Sequence, residues 1–222
     1  MKYFSSNLEG VKMENYPKKG TTTIGIVCKD GIVLAADRRV TAGHLIAHKK
    51  VKKVLPVGPH MAMTTAGLVS DIQLFTKIIR AQLMLLKMRK GKEPTVKEAA
   101  SLLANLAYSN IRRPSMIPGI VGFIFGGYDN SGYKLYEISF DGTVLEIDDF
   151  ASDGSGSSVA IGVLETLYKP NMTTTEAGEI AVKALQSAMS RDSATGNGVD
   201  VVVINEKGVN YTIQRETETK LK

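Results

Sequence analysis

The sequence predicts an α+β protein in which two antiparallel β-sheets lie face to face between two layers of helices. Strand-like segments occur in adjacent pairs joined by short turns, and helix-like segments occur in pairs between them. This order differs from the strand–helix–strand alternation that builds a parallel sheet. The segment 120–125 is apolar on both faces, so a sheet that contains it must be covered on both sides. The predicted architecture is therefore a four-layer αββα sandwich.

The strand predictions rest on short runs of β-branched and aromatic residues bounded by turn residues. An Asp-Gly hairpin signal lies in Lys29-Asp30-Gly31, and a second hairpin turn lies in Gly58-Pro59-His60. The predicted strands are Thr21–Cys28, Ile32–Ala36, Val51–Val57, Met61–Ala66, Ile120–Tyr128, Tyr133–Phe140, Thr143–Ile147, Val199–Ile204 and Val209–Ile213.

Four helices are predicted where the apolar period changes from two to 3.6 residues. The first carries one apolar stripe from Leu68 to Leu86 and ends at Lys90-Gly91. The second begins at Thr95, which forms a capping-box pattern with Glu98, and stops before Pro114. The third covers about Ser157–Tyr168, and the fourth begins at a second capping box, Thr173 to Glu176.

Composition places the chain among ordinary globular proteins. Its 222 residues are 43% apolar and 23% charged, which is enough for a sizeable core. No run approaches the roughly 18 apolar residues of a membrane span, and residues 1–20 lack the apolar centre of a secretory signal. The single cysteine, Cys28, allows no intrachain disulfide. We therefore expect a cytoplasmic protein without membrane contact.

Two binding functions are disfavoured. The net charge is +6, but the basic residues are scattered and the aromatic residues, at 6%, do not alternate with them as a nucleic-acid stacking surface requires. His44 and His48 have a four-residue spacing, but their segment has no helical stripe and no third ligand nearby. The sequence predicts neither a nucleic-acid partner nor a metal site.

The bond between Gly20 and Thr21 is a candidate cleavage site. Residues 1–20 are polar and end in Pro17-Lys18-Lys19-Gly20, a loop composition. Cleavage before Thr21 would place a hydroxyl nucleophile and a free α-amine on one residue. The amine, with a pKa near ~7.7–8.0, could serve as the base, so no histidine would be needed. An ordinary terminus followed by a strand remains the alternative interpretation.

Such a nucleophile needs a cation beside it, a carboxylate that fixes the cation, and backbone N–H groups for the oxyanion. Asp37, Lys53 and Gly67 are the candidates. Each also has a structural interpretation: Asp37 as a strand-end turn residue, Lys53 as a surface lysine and Gly67 as a helix-entry glycine. The alternation along 51–55 does not separate Lys52 from Lys53.

Six motifs, taken together and in order, resemble a catalytic proteasome β subunit of the archaeal type. The resemblance extends from Gly20 to about Ile213. The motifs are Gly20-Thr21-Thr22-Thr23-Ile24-Gly25, Ala36-Asp37-Arg38-Arg39-Val40-Thr41, Lys52-Lys53, Thr65-Ala66-Gly67, Gly154-Ser155-Gly156-Ser157 and Arg191-Asp192-Ser193-Ala194-Thr195-Gly196.

The resemblance implies an N-terminal-nucleophile hydrolase with the αββα fold and threonine endopeptidase activity on unfolded proteins. It implies a removable propeptide at residues 1–20 and one catalytic domain at 21–222, activated by self-cleavage. It also implies a seven-membered ring of β subunits, rings of α subunits, an unfoldase ATPase and no cofactor. The alternatives are a non-catalytic ring subunit, a bacterial two-ring protease of the same fold and a related amidase.

The resemblance also assigns roles to residues. It implies that Thr21 is nucleophile and base, that Asp37 and Lys53 are the supporting charge pair, and that the Gly67 N–H binds the oxyanion. Around the free amine it implies a network of Ser155, Asp192 and Thr195, the last of which is commonly serine in the family. The implied substrate-binding residues are Val40, Thr41, Val51, Thr65 and Val69. Because they are uncharged, they predict cleavage after apolar residues.

Overall fold

The computed structural model describes residues 20–115 and 119–216, so the predicted leader lies outside the described residues except for Gly20. Twelve strands form within that part of the chain: Thr22–Cys28 (β1), Gly31–Asp37 (β2), Val40–Ala42 (β3), Leu45–His48 (β4), Val54–Gly58 (β5), Met61–Gly67 (β6), Val121–Asp129 (β7), Gly132–Ile138 (β8), Val144–Ile147 (β9), Phe150–Gly154 (β10), Gly198–Asn205 (β11) and Gly208–Glu216 (β12). The helices there are Val69–Lys90 (α1), Val96–Ile111 (α2), Ser157–Leu167 (α3) and Thr174–Arg191 (α4).

The strands form two five-stranded sheets and one small hairpin. The first sheet has the order β10-β1-β2-β11-β12 and the second β5-β6-β7-β8-β9, while β3 and β4 pair only with each other. Every pairing is antiparallel. Among the residues that the structure describes, no strand pair requires a helical crossover between parallel strands, as the sequence predicted.

Three apolar clusters separate the four layers. Phe123 and Phe125 of β7 pack in one cluster with residues of α1 and α2, such as Ile79 and Leu103. Ile124, which lies between them, packs instead in the cluster between the two sheets. A third cluster joins α3 and α4 to the first sheet. Successive side chains of β7 are therefore buried on opposite faces, which confirms that this strand is covered on both sides and that the molecule is an αββα sandwich.

The predicted helix ends are confirmed by their capping contacts. The side chain of Thr95 accepts a hydrogen bond from the Glu98 amide, and that of Thr173 does the same with Glu176. Gly91 ends α1 with a left-handed φ of 66°. Among the described residues, no helix is both long and apolar enough to cross a membrane.

Three strands were missed, and some predicted strands were too long, such as Tyr133–Phe140, which ends at Ile138. The sequence did not predict β3, β4 or β10. The segment Phe150–Gly154 contains Ser, Asp and Gly, which have low strand propensity, and it becomes a strand because it pairs with the edge of β1. The strand predicted at Val51–Val57 begins only at Val54. The residues before it are held instead by single backbone bonds, from Val51 N to Arg38 O and from Thr65 N to Lys53 O.

Candidate active site

Thr21 lies immediately before β1, and its side chain is in contact with a buried ion pair. The Nζ of Lys53 donates to Thr21 Oγ1 at 3.0 Å and to Asp37 Oδ1 at 2.7 Å. The side chain of Lys53 is 4% exposed and that of Asp37 is fully buried. Three residues that lie far apart in the sequence are thus joined by two hydrogen bonds.

The position of Asp37 follows from its place at the end of β2, beside the start of β1. Its Oδ1 accepts from the backbone N–H of Thr22 at 3.1 Å as well as from Lys53. Its Oδ2 accepts from the N–H groups of Arg39 at 2.9 Å and Gly196 at 3.0 Å. These hydrogen bonds satisfy both oxygens of the buried Asp37 side chain, as a buried polar group requires. Asp37 is therefore held in place beside Lys53.

The structure distinguishes Lys53 from Lys52, which the sequence pattern did not. Burial lowers the pKa of Lys53, although the neighbouring Asp37 carboxylate acts in the opposite direction. Lys52 points elsewhere, with its Nζ 4.9 Å from the centroid of the Tyr211 ring. Because a lowered pKa makes the neutral amine accessible, Lys53 can hold or accept a proton beside the Thr21 hydroxyl.

A second group of polar residues surrounds the backbone nitrogen of Thr21. That nitrogen donates to Ser155 Oγ at 3.2 Å. Ser155 and Thr195 both donate to Oδ2 of Asp192, each at 2.5 Å. Thr195 also shares a hydrogen bond of 2.7 Å with the hydroxyl of Thr22. The three residues predicted as a network are therefore connected, and Thr195 reaches the site through Thr22 rather than Thr21.

The same network determines the charge of Asp192. Burial raises the pKa of this carboxyl, but hydrogen bonds from the Ser155 and Thr195 side chains and from the Ala194 backbone outweigh the burial. The net effect holds the pKa of Asp192 below its usual range. The Asp192 carboxylate is therefore connected to the Thr21 nitrogen through Ser155. In that position it would stabilise a protonated amine.

Gly20 occupies a confined position over Thr21. The Thr21 hydroxyl donates to the Gly20 carbonyl at 2.7 Å, and the Gly20 amide donates to Thr41 Oγ1 at 3.3 Å. A Cβ atom at residue 20 would lie 1.6 Å from the Cβ of Ala194 and 2.9 Å from Ser155 Oγ. Glycine is thus required for this arrangement, and the carbonyl of the candidate scissile bond is held beside the hydroxyl.

A cavity of about 320 Å³ opens beside Thr21. Its lining includes Gly20, Gly67 and all five residues predicted to bind substrate: Val40, Thr41, Val51, Thr65 and Val69. At Gly67 the backbone has a φ of +140°, and a Cβ there would lie 2.3 Å from the carbonyl oxygen of Ile120. Gly67 thus allows the backbone to line the cavity where no side chain would fit.

Several lining residues were not predicted from the sequence. They are Lys52, Leu55, Ile72, Gln73, Thr76, Lys77 and Arg80. Most belong to α1, where Val69, Ile72, Gln73, Thr76 and Arg80 recur at helical spacing. Following that helix face from Val69 would have found them. Ala194 was also missed as a contact of Gly20, since nothing in its motif indicates the distance between them.

Other predicted features have simpler environments. Arg39 makes hydrogen bonds to Asn197 Oδ1 at 2.7 Å and to the Ser193 carbonyl at 2.6 Å, so its contacts are structural. Cys28 is buried, and burial raises the pKa of its thiol to about 12. In the part of the chain that the structure describes, no cluster of three His, Cys, Asp or Glu side chains could hold a metal ion.

Comparison of the sequence with known proteins identifies the family of this chain. The family described as Proteasome subunit matches residues 17–204. The chain belongs to the proteasome subunit family. This membership confirms the resemblance inferred from the sequence motifs, and the proteasome family is one of peptidases and hydrolases.

Curated relatives have the same family name. The chain is 46% identical to "Proteasome subunit beta" of Ferroglobus placidus over 189 residues, which cover 85% of this chain and 88% of the relative. It is 45% identical to that of Archaeoglobus fulgidus over 188 residues, or 85% and 86% of the two chains. It is 42% identical to that of Methanococcus maripaludis strain C7 over 205 residues, or 92% of each chain. The similarity to proteasome β subunits therefore extends over most of the chain.

Proposed function

We propose that the chain is a threonine-type endopeptidase subunit of the proteasome core, with Thr21 as nucleophile after cleavage of the Gly20–Thr21 bond. The observation that carries this proposal is the contact between the Thr21 hydroxyl and Lys53, 3.0 Å apart and buried, with Asp37 fixing the lysine. A hydroxyl, a cation of lowered pKa and a fixed carboxylate form the constellation that activates an oxygen nucleophile.

Self-cleavage would begin from the contact between Thr21 and Gly20. Before cleavage the Thr21 nitrogen is an amide and cannot act as a base, so Lys53 in its neutral form would accept the hydroxyl proton. Oγ1 would attack the Gly20 carbonyl carbon, the C–N bond would break, and the nitrogen would take up a proton. Water would then hydrolyse the resulting ester and release a leader that ends in Gly20.

Substrate cleavage would use the amine that self-cleavage creates. The amine of Thr21 would take the hydroxyl proton and return it to the leaving amine. Ser155, with Asp192 and Thr195 behind it, would orient that amine, because Ser155 already contacts the same nitrogen. The Gly67 N–H would stabilise the oxyanion, and water would hydrolyse the acyl-enzyme.

The substrates would be unfolded proteins, entering through a ring assembly in the cytoplasm. We propose a seven-membered ring of β subunits, stacked with rings of α subunits and supplied by an unfoldase ATPase; no cofactor is required. The names of the relatives support a place in the proteasome core. Val40, Val51 and Val69 line the cavity beside Thr21, which supports cleavage after apolar residues.

The test is the intact mass of the purified full-length chain, alone and with its α partner, combined with a peptidase assay. Wild type should lose residues 1–20, whereas Thr21→Ala should keep them and cleave no peptide. Thr23→Ala is the matched control, because Thr23 lies two residues further along the chain and its hydroxyl donates to the Asp153 carbonyl. Cleavage at residue 20 in Thr21→Ala would contradict the proposal, and cleavage of small amides but not of proteins would favour the amidase alternative.

A further inference from the structure

Thr22, the first residue of β1, places its hydroxyl behind the first sheet rather than in the cavity beside Thr21. Side chains alternate along a strand, and the next residues on the same face, Ile24 and Ile26, pack in the apolar cluster with α3 and α4. Thr22 is fully buried and does not line the cavity. A Cβ atom at Gly156, just before α3, would lie 2.2 Å from Thr22 Oγ1. The hydroxyl is therefore tightly enclosed.

The hydrogen-bond pattern decides which hydroxyl is the donor between Thr22 and Thr195, whose Oγ1 atoms lie 2.7 Å apart. A hydroxyl has only one proton to donate. Thr195 Oγ1 lies 2.5 Å from Oδ2 of Asp192, and the lowered pKa of that carboxyl makes it an acceptor. The Thr195 proton is thus directed at Asp192. It follows that Thr22 donates the proton between the two threonines.

The backbone of Thr22 contacts the other half of the site. Its N–H donates to Asp37 Oδ1 at 3.1 Å, the same oxygen that accepts from Lys53 at 2.7 Å. Its hydroxyl is connected through Thr195 to Asp192. One residue therefore joins the ion pair beside the nucleophilic hydroxyl to the polar network around the nucleophile's nitrogen.

We propose that the Thr22 hydroxyl is a positioning group for the peptide cleavage described above. By donating to Thr195, it keeps the Thr195 proton directed at Asp192. Asp192 in turn holds Ser155 against the Thr21 nitrogen. A hydroxyl that accepts one hydrogen bond donates more strongly in the next, so the chain is strengthened by its first member. The inference rests on the proposed peptidase function, because it concerns the amine that serves as base.

Replacing Thr22 with valine keeps the branched shape and removes the donor. The loss of one such hydrogen bond should lower kcat for a peptide by roughly 3–10-fold. KM should change by less than about twofold, because Thr22 does not line the cavity. Thr22→Ala tests the same loss without a methyl group beside the Thr195 oxygen. Thr22→Ser, which retains a hydroxyl, should recover most of the kcat that valine loses.

Thr23→Val is the matched control at the neighbouring position. Thr23 is also buried, but its hydroxyl donates to the backbone carbonyl of Asp153 at 3.2 Å and takes no part in the network. It should retain the wild-type kcat. Every variant is assayed as the full-length chain in its assembled particle, with intact mass to follow leader removal and a thermal melt to verify folding.

A double-mutant cycle distinguishes this role from a contribution to folding alone. Thr195→Val should lower kcat by about tenfold or more, because Asp192 loses a charge-assisted hydrogen bond. Since Thr22 acts through Thr195, adding Thr22→Val to Thr195→Val should change kcat by less than about twofold. Two independent effects would instead multiply to a loss of roughly 30–100-fold.

The outcomes separate this inference from the proposed function. A wild-type chain that retains its leader and cleaves no peptide overturns both. An active wild type with an unchanged kcat in Thr22→Val and Thr22→Ala overturns the inference alone. The same holds if the losses multiply in the double variant, if Thr23→Val loses as much kcat, or if KM changes instead. Failure of both Thr22→Val and Thr22→Ala to fold also overturns it, because the hydroxyl would then serve the fold.

Discussion

Replacing Gly20 with alanine should block removal of the leader while leaving the fold intact. The added methyl group would lie 1.6 Å from the Cβ of Ala194, 2.8 Å from its Cα and 2.9 Å from Ser155 Oγ. An ordinary contact needs about 3.4 Å or more. Either the chain at residue 20 or the loop at Ala194 must move, and both define the site.

The magnitude follows from that displacement. Relieving the contact between the two Cβ atoms takes a shift of roughly 2 Å, and a misplacement of about 1 Å at a reacting centre can cost about 10²-fold in rate. The hydrogen bond of 2.7 Å from Thr21 Oγ1 to the Gly20 carbonyl would be lost in the shift. We therefore expect the leader to be released at least ~10²-fold more slowly.

The assay is a time course of intact mass after synthesis, with a thermal melt of each variant to verify folding. Ala194→Gly, added to Gly20→Ala, removes the atom at 1.6 Å and should restore part of the rate. Gly162→Ala is the control, because nothing lies within 4 Å of a Cβ at that position. Leader release by Gly20→Ala at the wild-type rate, or no gain from Ala194→Gly, would refute this explanation of the requirement for glycine.

Three further predictions test other contacts of the site and core. Lys53→Ala should slow leader removal at least ~10²-fold and lower the free energy of unfolding by about 3–5 kcal/mol, because Asp37 stays buried without its cation. Thr41→Val should slow leader removal by roughly 3–10-fold, because the Gly20 amide loses its acceptor. Burial raises the pKa of Cys28 from 9.0 to about 12, so the folded thiol keeps a proton that the unfolded one loses. Stability should therefore fall as pH rises above 9, by about 1.4 kcal/mol per pH unit from this group.

Each of these three predictions has its own measurement and control. Intact mass and urea melts check Lys53→Ala against Lys52→Ala, which should retain leader removal; an active Lys53→Ala chain would transfer the role to Lys52. Thr41→Ser should recover the rate that Thr41→Val loses, and equal rates for the two would remove the hydroxyl from the explanation. Urea melts between pH 8 and 10.5 should show a shallower decline in Cys28→Ala, and parallel curves would contradict the raised pKa.

The regular elements were largely predictable because their signals are local. The capping boxes at Thr95 and Thr173 and the helix end at Gly91 depend on residues within one turn of each other. The continuous burial along the middle of β7 follows from residues that are apolar on both faces. In contrast, β10 forms because the edge of β1 offers it a partner, and no property of Phe150–Gly154 alone indicates that.

In the candidate site, too, the sequence indicated some features and the tertiary structure decided others. The motifs identified the candidate site residues. The roles of Ser155, Asp192 and Thr195, however, came from the resemblance to a family and not from their spacing. The structure adds that Thr195 contacts Thr22 and that α1 contributes cations to the cavity. These contacts join segments that lie far apart in the chain, and their distances depend on how the layers pack.

The sequence by itself determined the class of fold and the family, and it predicts a leader that ends at Gly20. Only the tertiary structure separated Lys53 from Lys52, because alternation fails where a segment is held by single bonds rather than by a strand ladder. It also showed why residue 20 is glycine: any side chain there would clash with Ala194, which lies far away in the sequence. Local pattern encodes the elements, whereas the chemistry depends on distances between residues that folding alone brings together.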